Sequence, residues 1–384
     1  MSNEGGGTWE RKGLEMKGGG FYSAHTKGAG AAIMNALPLL LEALQGALAT
    51  GDPASNKADE ASSASRLPTD LSLFTIADYG LMRRAVEAVR AARGAGVGVS
   101  ITYTDRPSND FSALFETLLN PANEESPLYG NSDVYVFACG RSFYEPNFPP
   151  ESIHLGFSAT AMHWLTGVPC PLAQHVQAVG ASPDEKAVFQ AHARKDWETI
   201  LLHRGRELAK GGRLLLVNFC VDEQGRYLGN TEYQQSMFDV MNKLWKGMAD
   251  EGLITLDEYR QTAFAQYYRT KEEFLAPLTD PTSPVASLRL KVDACMTDIV
   301  RCPYRQSFGN GEYDAVSYSH ALLGTIRSWS EGVFLAGLNA SRERQQSKEL
   351  VDLFYERYRA LVEASPTEHA MDYVHCYLLL HKEA

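Results

Sequence analysis

The sequence predicts an α/β chain built on a doubly wound sheet, with a mostly helical cap over the edge where ligands bind. Three observations carry this. Strand-like and helix-like segments alternate up to residue 219, the pattern of a sheet covered by helices on both faces. Two consecutive strands, the runs reaching Asp78 and Asp105, each stop on an acid with one helix between them. The carboxyl ends of parallel strands are where ligands bind in a Rossmann-like sheet, and an acid there accepts ribose hydroxyls. After residue 230 the chain reads as mainly helical. Asp78 and Asp105 also have a plainer reading, as turn or helix-cap residues.

Taken in order, residues 1–15 are polar and Gly-rich, a loose lead-in, and Met16 to Gly28 adds small residues with Tyr22, His25 and Thr26 as polar groups. Apolar residues at helical spacing predict a helix from about Ala29 to Leu48. Gly51 to Ser65 is a surface loop. The strand ending at Asp78, a helix over Leu81–Arg93 and the strand ending at Asp105 follow. A strand that ends on a cofactor needs a small-residue loop before its helix, yet Leu81 starts the helix directly after Gly80. Either that turn is unusually tight or residues are absent from the sequence there; the second is the expectation.

Ser112–Asn120 is expected as a helix, Ser132–Cys139 as a strand leading to Gly140-Arg-Ser-Phe-Tyr144, and Ser152–Ser158 as a strand running into Ala159–Leu165. Residues 182–210 read as one long helix, opened by the Ser182-Pro-Asp-Glu capping pattern and closed by Gly211-Gly212. Arg213–Phe219 is a central strand, Asp239–Tyr259 an amphipathic helix, Phe264–Leu278 a loop with a short helix, and Arg289–Met296 an outer strand. Helices around Ser319–Leu338 and Glu343–Ala364 precede a final strand, Tyr373–Leu380. The expected division is a core at 1–230 that includes the segment 16–48, a cap at 231–372 and a last core strand at 373–384.

At 384 residues, with 44% hydrophobic and 22% charged, the composition is that of a globular chain. A formal charge of −11 argues against nucleic acid, which needs clustered Lys and Arg. No apolar run reaches the roughly 18 residues of a membrane helix, and the first residues lack the basic and apolar regions of a signal peptide. No membrane association and a cytoplasmic location are therefore expected. The six cysteines form no C-x-x-C pair, so they read as reduced, with neither a metal site nor a disulfide scaffold.

Several stretches together resemble the SABATH family of S-adenosylmethionine-dependent carboxyl methyltransferases. Met16-Lys-Gly-Gly is similar to the family's M-K/N-G-G, Asp78-Tyr-Gly80 to its D-L-G, and Tyr103-Thr-Asp-Arg-Pro-Ser-Asn-Asp-Phe111 to N-D-L-P-x-N-D-F. Gly140-Arg-Ser-Phe-Tyr144 resembles G-S-F-Y, and Ser152 to Pro169 resembles S-V-H-x-x-x-S-S-Y-S-L-x-W-L-S-x-V-P. The resemblance implies the class I methyltransferase fold, S-adenosylmethionine as cofactor with S-adenosylhomocysteine as product, a small carboxylic acid as partner, and a homodimer. By it, Tyr22, Thr26, Asp78, Gly80, Asp105, Arg106, Ser142 and Phe143 surround the cofactor. Trp164 and His163 are the catalytic donors, and Lys17, His25, Thr160, Trp164, Phe238, Ile326, Trp329 and Tyr373 line the acceptor pocket. Two departures stand out. The family glutamine that shares the carboxylate with the tryptophan falls at about Ala29, and the family tyrosine of S-S-Y-S is Thr160.

Methyl transfer to a carboxylate needs no general base, because the acceptor is already ionised at neutral pH with a pKa near 4. Positioning and exclusion of water do the rest, which suits a chain without a Ser/His/Asp order. Three functions remain open on the sequence: esterification of a small aromatic or dicarboxylic acid, N-methylation of a heterocycle, and a catalytically silent cofactor-binding or interaction protein.

Overall fold

A computed structural model describes residues 27–50, 69–74, 79–93, 98–120, 130, 132–233 and 235–383. Its strands are β1 (Thr69–Phe74), β2 (Val99–Asp105), β3 (Val134–Gly140), β4 (Ile153–Ala159), β5 (Leu208–Phe219), β6 (Leu290–Val300) and β7 (Tyr373–Lys382). They form one sheet in the order β3-β2-β1-β4-β5-β7-β6. The first five run parallel, and β7 inserts antiparallel between β5 and β6. From β1 the chain moves outward through β2 to β3 and then returns to the other side of β1 at β4. That reversal opens a crevice at the carboxyl ends of the strands. The doubly wound sheet expected from the sequence is thus the one observed.

The helices are α1 (Lys27–Asn35), α2 (Leu37–Thr50), α3 (Tyr79–Arg93), α4 (Phe111–Leu119), α5 (Pro183–Glu207), α6 (Met237–Asp250), α7 (Leu256–Gln261), α8 (Lys271–Thr279), α9 (Pro303–Gly309), α10 (Ala315–Gly337) and α11 (Arg344–Ala364). Side chains alternate across the sheet with period two. Leu215 and Val217 of β5 and Leu379 of β7 pack with Leu40 and Leu44 of α2 and Val89 of α3. Leu214, Leu216 and Leu378 face Trp197, Ile200 and Leu201 of α5. Burial on both faces explains why these central strands read as unbroken apolar runs rather than alternating ones.

Four boundaries differ from the sequence reading. The helix expected over 29–48 breaks at Ala36, because Pro38 has no N–H to donate and opens a new helix instead. Helix α5 has the expected capping box, with Ser182 N–H donating to Glu185 at 2.9 Å, but it ends at Glu207 and β5 starts at once. Gly211 and Gly212 belong to that strand, where the register with β4 shifts. A Cβ on Gly212 would lie 2.8 Å from the Ala209 carbonyl and 2.9 Å from that of Ile153. The two glycines serve a close strand contact and not a helix stop. The stretch 239–259 is two helices, separated where Gly252 turns left-handed at φ 74°. Gly80 lies inside α3, so no loop follows it in this chain.

The cap is discontinuous in sequence, since β6 falls inside 231–372 yet completes the sheet. Around Trp245, Phe334 and Phe354 its helices build an aromatic core that continues without a break into Phe219 of β5 and Tyr373 of β7. No helix among the described residues is long and apolar enough to cross a membrane.

Candidate active site

Three strand ends meet at the crevice. β2 stops at Asp105, which pairs across to Gly140 at the end of β3, and β4 stops at Ala159. The Asp105 carboxylate accepts the Arg106 backbone N–H on Oδ1 at 2.7 Å. Its Oδ2 accepts from no protein group among the described residues. Burial pushes the Asp105 pKa up, and the Arg106 N–H and charge oppose this. A half-buried carboxylate with one open acceptor at a strand end fits the two hydroxyls of a ribose. Asp110, by contrast, caps α4 by accepting the Ala113 N–H at 3.0 Å, a structural task.

The segment after β3 is held from below by α5. Arg204 is 1% exposed; it pairs with Glu207 at 2.7 Å and donates to the carbonyls of Phe143 at 3.0 Å and Glu145 at 2.7 Å. Glu207 in turn accepts the N–H groups of Asn147 and Phe148 at 2.7 and 3.2 Å. These bonds fix the segment that carries Ser142 and Phe143, which follows directly on the Asp105–Gly140 pair. Ser142 accepts the Tyr144 N–H at 3.2 Å, and the Phe143 ring lies 4.7 Å from that of Tyr144. Tyr144 reaches on to the Trp164 carbonyl at 2.6 Å and to Asp196 at 3.3 Å.

Beyond β4 the chain turns sharply at Thr160, whose φ of 53° is left-handed, a costly conformation for a β-branched residue. The turn carries His163 and Trp164 over the sheet edge. There the acceptor-pocket residues named from the sequence come together: Trp164, Phe238, Ile326, Trp329 and Tyr373 belong to one packed cluster. The Phe238 ring is 6.1 Å from Trp329 and 6.1 Å from Tyr268. His163 packs its ring 4.7 Å from Phe219 and 5.8 Å from Tyr268, and its Nδ1 has no partner among the described residues. Burial above all, then the neighbouring His375 and Arg269, holds His163 well below its ordinary pKa, so it is neutral. The Trp164 indole N–H donates to no protein group among the described residues.

Phe219, Gln266, Tyr268 and His375 were not assigned to the site from the sequence. Phe219 and His375 had a signal: they sit opposite each other at the ligand edge of β5 and β7, with rings 4.5 Å apart. Gln266 and Tyr268 lie on an irregular segment that carries no periodicity. Lys17, Tyr22, His25, Thr26 and Asp78 lie outside the described residues. Among those described, no cluster of His, Cys, Asp and Glu could hold a metal.

Comparison with known proteins agrees with this geometry. A family model described as SAM dependent carboxyl methyltransferase matches residues 82–383. Methyltransferase FUS9 of Gibberella fujikuroi is 29% identical over 264 residues, 67% of this chain and 65% of the relative. Gibberellic acid methyltransferase 2 of Arabidopsis thaliana is 26% identical over 264 residues, 64% of this chain and 65% of the relative. The chain thus matches somewhat under two thirds of the length of these curated relatives. A solved loganic acid methyltransferase with SAH superposes with a TM-score of 0.72 at 17% identity, covering 96% of this chain and 99% of the other. That likeness bears on the fold.

Proposed function

Because the chain belongs to the family of S-adenosylmethionine-dependent carboxyl methyltransferases, we propose that it esterifies the carboxylate of a small acid. S-adenosylmethionine supplies the methyl group when bound and leaves as S-adenosylhomocysteine. The observation that carries the proposal is Trp164, whose indole N–H donates to no protein group among the described residues and whose ring packs against the aromatic cluster. Asp105 accepts the ribose hydroxyls, Ser142 and Phe143 flank the adenine, and Trp164 donates to the acceptor carboxylate. The carboxylate arrives ionised, so no residue need take its proton. Neutral His163 is consistent with that, since it neither repels nor protonates a bound anion.

Phe238, Trp329, Tyr268 and Tyr373 exclude water and offer flat apolar surface, which favours an aromatic or similarly compact acid. A dicarboxylic acceptor is part of the proposal through Lys17 and His163. A cytoplasmic homodimer completes it, to be checked by sedimentation and cell fractionation.

The chain is incubated with methyl-labelled cofactor and a panel of benzoate, salicylate, terephthalate, loganic acid, gibberellic acid and xanthine. Labelled methyl ester supports the proposal. Label on the xanthine nitrogen alone replaces it with N-methylation, and no label at all with a silent binding protein.

A further inference from the structure

Trp164 faces Gln266 in an isolated antiparallel bridge. The bridge is closed by the Leu165 N–H to the Ala265 carbonyl at 2.7 Å and the Tyr267 N–H to the His163 carbonyl at 3.0 Å. Trp164 and Gln266 therefore exchange no backbone bond with each other. Opposed residues of that type have the closer α-carbons and put their side chains on one face. Gln266 is 1% exposed, and its Oε1 accepts the Tyr268 hydroxyl at 3.0 Å. Burial holds Tyr268 well above its ordinary pKa, so this hydroxyl keeps its proton and donates it to the amide oxygen, which faces Tyr268. The amide Nε2 then points away, and no acceptor meets it among the described residues. This nitrogen is not one of the fully buried side-chain atoms that lack a partner, so it keeps some surface of its own that a ligand can reach. Here two unpaired donors, the Gln266 Nε2 and the Trp164 indole, stand opposed on one face.

We infer that Gln266 holds the second oxygen of the acceptor carboxylate while Trp164 holds the first. This rests on the carboxylate reading above and adds to it a named residue and a selection rule. Two neutral donors, neither able to release a proton to the acceptor, bind an anion through both oxygens. The methyl ester keeps only the weaker carbonyl acceptor and loses the charge, so product is held less tightly than substrate. Tyr268 is the positioning residue that keeps the amide turned.

The test uses Gln266→Glu, Gln266→Met and Tyr268→Phe in the full chain, with the panel acid that wild type esterifies fastest. Gln266→Glu keeps an oxygen for Tyr268 and places an anion where the donor stood. Losing a charge-assisted bond corresponds to about tenfold or more in kcat/KM. That loss is expected for both Gln266 variants, carried mainly by KM and larger for Glu, with unchanged S-adenosylhomocysteine affinity by calorimetry. Tyr268→Phe should lose less than either. Gln266→Glu within twofold of wild type overturns the assignment and leaves the carboxylate reading standing. Lost cofactor affinity in both Gln266 variants also overturns it, by giving Gln266 a role in the fold. A wild-type chain that esterifies no acid overturns the reading and this inference together.

Discussion

Tyr144 donates its phenolic O–H to the backbone carbonyl of Trp164 at 2.6 Å, so the segment after β3, proposed to flank the adenine, and Trp164, proposed to hold the acceptor, are one bond apart. The same hydroxyl lies 3.3 Å from Asp196 of α5, which also takes the Thr166 N–H at 2.8 Å. Helix α5 is thereby the common footing for both halves of the site.

Tyr144→Phe should leave the Trp164 carbonyl short of a donor and the turn less fixed. We expect a destabilisation of about 1–3 kcal/mol in urea and a fall in kcat of about tenfold, through misplacement of reacting atoms. Unchanged kcat would show that the two halves are positioned separately.

Asp105→Asn keeps the size and removes the charge proposed to accept the ribose hydroxyls. Since a charge-assisted bond is worth about 1.5–3 kcal/mol, S-adenosylhomocysteine affinity measured by calorimetry is expected to drop about tenfold or more. The melting temperature should not fall, because the carboxylate is already desolvated in the ligand-free chain.

Trp164→Phe retains most of the apolar contact and deletes the N–H. The expected cost is about 1–3 kcal/mol, read as one to two powers of ten in kcat/KM with acids. Parent-level turnover of acids by this variant would remove Trp164 from the mechanism.

Glu207→Ala removes the carboxylate partner of Arg204, which is fully buried and also donates to the carbonyls of Phe143 and Glu145. Breaking a buried pair from one side costs about 3–5 kcal/mol. Chemical denaturation should report that loss, together with weaker cofactor binding as residues 143–148 loosen.

His375 supplies a pH signature. Burial lowers its pKa to about 3 in the folded chain, against about 6.5 when unfolded. The unfolded state therefore binds the extra proton first. Stability from this residue is whole above pH 6.5 and is lost as pH falls toward 3, at about 1.4 kcal/mol per unit. His375→Phe, which keeps the stack on Phe219, should flatten denaturation free energy between pH 6 and 4 relative to wild type. Equal slopes in the two proteins would show that His375 is charged or solvated in the fold.

The sheet was legible because its central strands are buried on both faces and their helices carry ordinary caps, as at Ser182 and Ser236. Asp105 was legible because a strand end and its acid are local in sequence. The glycines at 211–212 misled, since the close approach of Ile153 that they permit is a contact between distant segments. Gln266 was silent for the same reason: its role depends on Trp164, about a hundred residues away, and on a bridge that neither stretch announces alone. The aromatic cluster shows up in composition but not in membership, because its rings come from distant segments: Phe238 and Trp245 of α6, Trp329 and Phe334 of α10, Phe354 of α11 and Tyr373 of β7.

Strand β7 lies between β5 and β6 although it follows both in sequence. While the chain is being synthesised, β6 is made with no strand to join. At about 5–20 residues per second, the roughly 80 residues that separate the ends of β6 and β7 take on the order of ten seconds. For that time the ribosome carries an unpaired strand whose Val292 and Met296 are exposed even in the finished sheet, the kind of edge that recruits other chains. Soluble yield should then follow the supply of holding chaperones and the rate of translation through residues 301–372 more closely than the melting temperature of the completed protein.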